Sequence, residues 1–346
     1  MKKLLILLFA LALAFVTGRL ALEIPVVQDT LLSRGAGSMA MQGDRIKAGE
    51  DSLQVYVCGS ASPLGMGQAQ ACIAVVTPDH FYLIDSGAGS TENINRLRLP
   101  TGRLQAVLLT HFHSDHIAEL YEVNLGSWVN GRTTPLTVYG PEGVQEVVNG
   151  VNEGYRMDRL YRVAHHGEAL LAPELGVLNP QSISAGEVIQ DGDLKITAYT
   201  AEHPPIHPAV GYRIDYRGRS VVVSGDSNVG VNTFEIVDGA DLLLHDALSL
   251  PIVTALANSL EASGRPRQSK IVTDVIDYHA STASLIDLNA QSDIGMVAYY
   301  HLVPVPPNSI AESVFMRNAP DNFVLASDLM WFELPIGSDQ IVVNQP

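Results

Sequence analysis

Thr110-His111-Phe112-His113-Ser114-Asp115-His116 follows directly on the apolar run Val107-Leu108-Leu109. This stretch places three imidazoles and one carboxylate within six residues, just after a predicted strand. Imidazole nitrogen and carboxylate oxygen are ligands that suit a borderline divalent ion such as zinc. Four ligands so close in sequence cannot easily converge on one tetrahedral ion, whereas a turn can offer His111 and His113 to one ion and Asp115 and His116 to another. The stretch therefore predicts half of a two-metal site.

Further candidate ligands lie downstream, each at the end of a predicted strand. His203 follows the strand-like segment 194–200, Asp226 follows a predicted hairpin, and His301 follows the predicted strand 296–300. Polar side chains where strands run out into loops are typical of ligand sites in layered sheet proteins. Asp226 comes directly after a glycine and could turn one carboxylate oxygen towards each ion, so we interpret it as the bridging ligand.

Asp85 is a candidate of a different kind. It follows the predicted strand 81–84 and precedes Ser86-Gly87. A carboxylate in this position can accept a hydrogen bond from a ligand histidine and so orient it. A plain turn aspartate fits the same sequence equally well, and the residues alone leave both interpretations open.

The length and the charge of the chain restrict its domain organisation and the classes of partner that it can bind. Its 346 residues allow one large domain or two of ordinary size. The formal charge of −16 repels phosphate backbones, and the sequence shows no local basic patch that would offset it. We therefore predict a small-molecule substrate and no nucleic-acid partner, and we leave a homodimer open.

The N-terminus has the pattern of an export segment. Lys2 and Lys3 precede an uncharged apolar run over residues 4–16, which is a positively charged n-region followed by an h-region. Residues 1–20 are predicted to be a signal peptide or an N-terminal membrane anchor, although thirteen apolar residues are short for a spanning helix. A buried N-terminal helix is the alternative. Residues 21–52 are then predicted to be a linker and residues 53–346 the folded domain, in a periplasmic or extracellular protein.

The chain has two cysteines, Cys58 and Cys72, on either side of a turn-rich stretch. Two are too few for a disulfide scaffold or a thiolate zinc site. A single disulfide across a hairpin is open in an oxidising compartment, but we favour two isolated buried thiols.

The candidate ligands and their order resemble those of the metallo-β-lactamase fold superfamily over roughly residues 53–335. The segments His245-Asp246-Ala247 and Tyr278-His279-Ala280-Ser281-Thr282 resemble the ribonuclease Z branch and its arylsulfatase-like relatives. This resemblance implies an α/β (α+β) fold, a four-layer αββα sandwich with the metals at one edge.

The resemblance also implies roles for single residues. Two zinc ions are expected, with Mn²⁺ or Fe as alternatives; one would be held by His111, His113 and His203, the other by Asp115, His116 and His301, with Asp226 between them. Asp85 would support a ligand histidine, and His279 would donate a proton to the leaving group, oriented by Asp246 where many relatives carry Glu. The tRNA-processing members of the family use a long basic Gly/Pro-rich arm, and nothing in this sequence resembles it.

The expected function is that of an exported binuclear zinc-dependent hydrolase of a small ester, a phosphodiester or sulfate ester first. Two divalent ions close together lower the pKa of a shared water and supply hydroxide for the attack. Asp115 could orient that water or take its proton, and His279 would protonate the leaving group. A lactonase, a β-lactamase or a non-catalytic metal-binding protein are the alternatives.

Overall fold

The computed structural model describes residues 2–40, 51–63, 65 and 67–345, and the chain divides into two units. The N-terminal unit consists of helix α1 (Lys2–Ala21) and helix α2 (Pro25–Ala40). Helix α2 occupies part of the segment 21–52 for which a linker is predicted, and it begins with a proline, a residue whose backbone angle suits the first position of a helix. The linker residues 41–50 lie outside the described residues. None of the helices described here has both the length and the apolar character needed to cross a membrane.

The strands and helices of the main unit follow in chain order. The strands are β1 (Ser52–Gly59), β2 (Cys72–Val76), β3 (Phe81–Ile84), β4 (Ala106–Leu108), β5 (Thr137–Gly140), β6 (Asn179–Ser182), β7 (Val188–Asp191), β8 (Leu194–Thr200), β9 (Val210–Tyr216), β10 (Arg219–Val223), β11 (Ala240–Leu248), β12 (Ile294–Val303), β13 (Phe323–Leu325), β14 (Trp331–Pro335) and β15 (Val342–Asn344). The helices are α3 (Ser90–Arg96), α4 (Ser114–Ile117), α5 (Leu120–Val129), α6 (Val144–Gly154), α7 (Arg156–His166), α8 (Val231–Val237), α9 (Leu250–Ala262), α10 (Pro266–Asp274), α11 (Thr282–Gln291) and α12 (Ser309–Phe315).

Two sheets form the middle of the main unit. The first has the order β15-β14-β1-β2-β3-β4-β5-β6, and the second has the order β13-β12-β11-β10-β9-β8-β7. Side chains alternate along each strand, so Leu242 and Leu244 pack into the core between the sheets while Leu243 packs outwards under helix α11. Helices cover the outer face of the first sheet in the same way, with Leu120 against Val107 in one apolar cluster. The predicted four-layer αββα sandwich is confirmed.

Parallel pairing brings the functional loops to one edge of this sandwich. Strand β4 runs parallel to β3, and β11 runs parallel to β10 and β12. The carboxyl ends of parallel strands meet at the same sheet edge, where ligands bind in such folds. The His-rich loop leaves β4 at this edge, and Asp246 and His301 lie near the carboxyl ends of β11 and β12.

A disulfide joins Cys58 to Cys72, with an S–S distance of 2.02 Å, so the prediction of isolated thiols was wrong. The pairing of β1 with β2 shifts register between Val57 and Gly59. This irregularity brings the two Cα atoms to 5.0 Å, within the range that a disulfide spans. The sequence could not reveal the contact, because it depends on a one-residue shift in strand pairing.

Candidate metal centre

Asp85 anchors the start of the His-rich loop. Its two carboxylate oxygens accept hydrogen bonds from the Thr110 backbone N–H and from the Thr110 hydroxyl, both at 2.8 Å. One of these oxygens also lies 2.7 Å from His116 Nδ1. A carboxylate accepts only, so His116 carries its proton on Nδ1 and leaves Nε2 free to bind a metal. Asp85 thus contacts His116 in the way expected of a carboxylate that orients a candidate ligand histidine.

The first set of candidate ligands, called the His111 group here, consists of His111, His113 and His203. His111 Nε2 lies 2.9 Å from His113 Nδ1, and His203 Nε2 lies 3.4 Å from the same nitrogen. The Nδ1–H of His203 donates to the Tyr278 carbonyl at 3.0 Å, which leaves its Nε2 facing the group. His111 and His203 are buried, whereas His113 is partly exposed.

The second set, called the His116 group, consists of Asp115, His116 and His301, all of them buried. Asp115 Oδ2 lies 3.1 Å from His301 Nε2 and 3.5 Å from His116 Nε2. His301 reaches this position through a β-bulge: Asp246 pairs with Tyr300 and Ala247 with Leu302, so His301 is the extra residue. Its φ of 43° is uncommon for a residue other than glycine and turns the side chain into the site.

Asp226 lies between the two groups and presents one oxygen to each. Its Oδ2 lies 3.8 Å from His111 Nε2 and 3.9 Å from His203 Nε2. Its Oδ1 lies 3.3 Å from both His116 Nε2 and His301 Nδ1. The ligand atoms in each of the two sets that include Asp226 all lie within 4.8 Å of one another.

These residues fit a pair of divalent metal ions. Ligands that bind one zinc ion at about 2.0–2.1 Å lie roughly 3.3 Å apart, close to the separations seen here. Three buried atoms of the cluster have no hydrogen-bond partner among the described residues: His116 Nε2, Asp226 Oδ1 and His301 Nδ1. Buried polar atoms without partners are rare unless an ion or water satisfies them. The donor set therefore matches an imidazole and carboxylate site for zinc or a similar ion.

Charge supports the same assignment. Burial alone would raise the pKa of Asp226, but the neighbouring histidines His301 and His116 outweigh it and hold that pKa well below the ordinary value. Burial lowers the pKa of His111, which keeps the imidazole neutral as a ligand must be. Burial alone would also lower the pKa of His116, but the carboxylates of Asp226 and Asp85 have the larger effect and raise that pKa. The buried carboxylates thus demand positive charge, which divalent ions can supply.

A second polar arrangement lies beside the ligands and centres on Asp246. Asp246 Oδ2 accepts a hydrogen bond from His279 Nδ1–H at 2.8 Å, and its Oδ1 lies 2.8 Å from His245 Nδ1. Burial alone would raise the pKa of Asp246, but the hydrogen bonds from His245 and His279 outweigh it and lower that pKa. Burial alone would lower the pKa of His279, but the charge of Asp226 and the hydrogen bond to Asp246 have the larger effect and raise that pKa. Because Nδ1 of His279 contacts Asp246, Nε2 is the nitrogen that remains to exchange a proton.

The structure brings every residue predicted for the site to this one edge. It also adds residues that the sequence reasoning did not assign. His245 precedes Asp246 directly in the sequence, and that adjacency was the available signal for its contact. A pocket of about 290 Å³ opens over the centre. Its lining includes side chains that carried no chemical signal, namely Ser62, Pro63, Ile271, Val275, Tyr278 and Val303.

Comparisons with known proteins agree with this geometry. A family model described as the Beta-lactamase superfamily domain matches residues 80–254. The chain is similar to ribonuclease Z of Mycobacterium bovis (strain BCG), with 31% identity over 256 residues that span 73% of this chain and 86% of the relative. The metallo-β-lactamase fold protein YhfI from Bacillus subtilis aligns with a TM-score of 0.60 and 16% identity, over 82% of this chain and 100% of that one. The short form of human tRNase Z aligns with a TM-score of 0.57 and 16% identity, over the same shares of the two chains.

Proposed function

Because the chain belongs to the metallo-β-lactamase superfamily, in the ribonuclease Z-like branch of these metal-dependent hydrolases, we propose that it hydrolyses a small ester with two zinc ions. A phosphodiester or a sulfate ester is the first candidate substrate. The observation that carries the proposal is the position of Asp226, with one oxygen facing each of two complete ligand groups.

In this proposal the His111 group would hold one ion, the His116 group the other, and Asp226 would bridge them. Bound together, two such ions supply an acidified water and offset the negative charge that develops during hydrolysis. Asp115 lines the pocket, so its carboxylate can also orient the attacking water or accept a proton from it. The proton for the leaving oxygen is held at His279 Nε2, since Nδ1 is occupied by Asp246. Asp246 keeps the ring oriented and favours its charged form.

The pocket supports a small substrate over a polynucleotide. Its volume of about 290 Å³ is at the lower end of small-molecule sites. Among the residues that the structure describes, no Lys or Arg lines it. Phosphate backbones are gripped mainly by Lys and Arg, so a nucleic acid would find few partners here.

A ribonuclease activity is the second candidate, and the 31% identity to the mycobacterial ribonuclease Z is the observation that favours it. Lactones and β-lactams are further substrates that the same centre could attack at an acyl carbon. These candidates differ in the bond that is broken, so a substrate panel separates them.

We also propose that the protein is exported. Residues 4–16 and the preceding lysines have the composition of an export segment. The disulfide between Cys58 and Cys72 adds support, since such bonds persist in oxidising compartments. Fractionation of the source cells tests this: protein retained with cytosolic markers, with reduced cysteines, would contradict export.

The deciding experiment uses the full chain, loaded with zinc and freed of excess metal. Metal content is measured together with turnover of bis(4-nitrophenyl) phosphate, 4-nitrophenyl sulfate, a lactone, a chromogenic cephalosporin and a precursor tRNA. We expect close to two metal equivalents and preferred turnover of one small ester, abolished by a chelator and restored by zinc. Zinc-loaded protein that leaves every small ester intact would contradict the proposal, and selective cleavage of the precursor tRNA would favour the ribonuclease.

A further inference from the structure

We propose that Ile271, Val275 and Val303 form a subsite for an apolar leaving group, and that the substrate is therefore an ester of an aryl alcohol or of a bulky alkyl alcohol. This inference rests on the proposed function and specifies which small ester fits the site. It concerns the aliphatic side chains in the lining of the pocket.

The lining of the pocket contains two chemically different sets of side chains. One set consists of the candidate metal and proton-transfer residues His113, Asp115, Asp226, His279 and His301. The other set consists of three branched aliphatic side chains, Ile271, Val275 and Val303, together with Pro63 and the ring of Tyr278. A substrate that fills the pocket thus meets both polar groups and hydrocarbon.

Ile271 is the exposed member of the aliphatic set. Val275 and Val303 are 6% and 1% exposed, whereas Ile271, on helix α10, is 50% exposed. The two valines are held in place by a buried apolar cluster that also contains Val272 and Val253. The wall is therefore anchored in packed structure, while Ile271 leaves apolar surface that a ligand can cover. Covering such surface is favourable because it removes hydrocarbon from water.

The position of the wall in the chain identifies the part of the substrate that it contacts. Ile271, Val275, Tyr278 and His279 belong to one short segment, and all four line the pocket. In the proposed function, His279 is the lining residue that lies next to the leaving oxygen. A group that packs against the preceding residues of this segment is therefore the group attached to that oxygen. Tyr278 adds an aromatic face here, with its ring centroid 4.9 Å from that of His279.

The reaction balances with such a substrate and needs only water as the second reactant. The water oxygen forms a bond to the phosphorus or sulfur, and the bond from that centre to the alcohol oxygen breaks. The alcohol oxygen takes the proton from His279 Nε2 and leaves as a neutral alcohol. The water gives up one proton, which passes through Asp115 to solvent, and His279 is reprotonated from solvent.

Charge argues against a second anionic group in this part of the substrate. Within the described residues, the lining of the pocket contains no Lys or Arg that could pair with such a group. Arg267 lies one helical turn before Ile271 on the same face of helix α10 and is exposed. A substrate with a further phosphate would therefore depend on Arg267, whereas an apolar leaving group would depend on Ile271.

The test changes Ile271 and compares two leaving groups of similar acidity but different apolar area, phenyl and 2-naphthyl. The esters are the methyl phosphates or the sulfates, according to which class the zinc-loaded wild type hydrolyses. The variants are Ile271→Asp and Ile271→Ala. The matched control is Thr273→Asp, which adds the same charge at an exposed position on the opposite side of helix α10.

We expect the wild type to prefer the naphthyl ester. Ile271→Asp should lower kcat/KM for the naphthyl ester by about 10-fold or more, chiefly through KM, since contacts in an apolar pocket contribute discrimination of that order. The same variant should lower kcat/KM for the phenyl ester by less. Ile271→Ala should give a kcat/KM for the naphthyl ester between those of the wild type and Ile271→Asp. Thr273→Asp and Arg267→Gln should keep kcat/KM for both esters within about 2-fold of wild type.

Equal losses on both esters, or equal effects of Ile271→Asp and Thr273→Asp, would overturn the subsite. A loss confined to Arg267→Gln would overturn it too and would indicate a more highly charged substrate. These results differ from failure of the proposed function, in which the zinc-loaded wild type hydrolyses neither ester.

Discussion

The two ligand groups on either side of Asp226 differ in burial and in what supports them. In the His116 group every member is buried, and His116 is held by the carboxylate of Asp85 at 2.7 Å. In the His111 group His113 is partly exposed, and His203 is held by the neutral carbonyl of Tyr278 at 3.0 Å. A carboxylate makes a ligand histidine more basic than a carbonyl does. We therefore expect the His116 group to bind its ion more tightly and the His111 group to be the exchangeable position.

The largest effect should come from removing the residue that the two groups share. Asp226→Ala leaves both groups without their common oxygen donor, so metal content should fall below two equivalents and activity by more than about 10²-fold. Metal analysis and turnover of the preferred ester measure both quantities. Asp193→Ala, at an exposed carboxylate, is the control and should resemble wild type. A variant that retains two equivalents would refute the bridging role.

His279→Ala separates the chemistry from metal binding. Since His279 is not a member of either group, both ions should remain, while the leaving oxygen loses its proton donor. Activity should fall by about 10²- to 10⁴-fold on esters with poor leaving groups and by much less on nitrophenyl esters. Kinetics across a series of leaving-group acidities measures this. Equal losses on all esters, or a loss of bound metal, would count against the proton-donor role.

Asp85→Asn tests directly whether the charged support of His116 explains the difference between the His116 group and the His111 group. The amide is nearly isosteric but neutral, so His116 loses its charged support, and metal affinity of the His116 group should weaken by about 10- to 100-fold. In a titration with a competing chelator, the wild type should release its two ions in two well-separated steps. In the variant, the two ions should be released at more similar chelator concentrations. The matched change Asp241→Asn removes a carboxylate that contacts Ser220 and Arg219, away from both groups. If wild type and Asp85→Asn titrate identically, the difference between the groups has another cause.

His245→Asn should have a smaller effect that depends on His279. His245 is fully buried and contacts the far oxygen of Asp246, so we expect it to position Asp246 rather than touch substrate. The loss should be about 10-fold, larger for poor leaving groups, and nearly absent when His279 is already alanine, because residues that act as a unit are not additive. His245→Gln should restore part of the activity. A full additional loss in the double variant would indicate a merely structural role.

The candidate ligands could be picked out from the sequence because each lies near the end of a predicted strand and is a histidine or aspartate, residue types that seldom occupy such a position for packing alone. Other features depend on register, which one-dimensional patterns do not contain. His301 points into the site through a bulge in β12, and Cys58 meets Cys72 through an irregularity in β1. Ile271 looks like any helical isoleucine in the sequence, and only the packing of helix α10 against the site makes it part of the pocket.

Removal of the disulfide should have the smallest effect on the metal centre. It therefore serves as a control for the comparison of the two ligand groups. The disulfide closes a loop with a sequence separation of 14, and replacing both Cys58 and Cys72 by serine should lower the free energy of unfolding by about 3 kcal/mol. Denaturant unfolding of the two zinc-loaded proteins measures this. Chelator titrations should be unchanged, because neither cysteine belongs to either ligand group. If the double variant instead lost one ion selectively, then the stability of the first sheet, rather than burial and support by Asp85, would explain why the two groups differ.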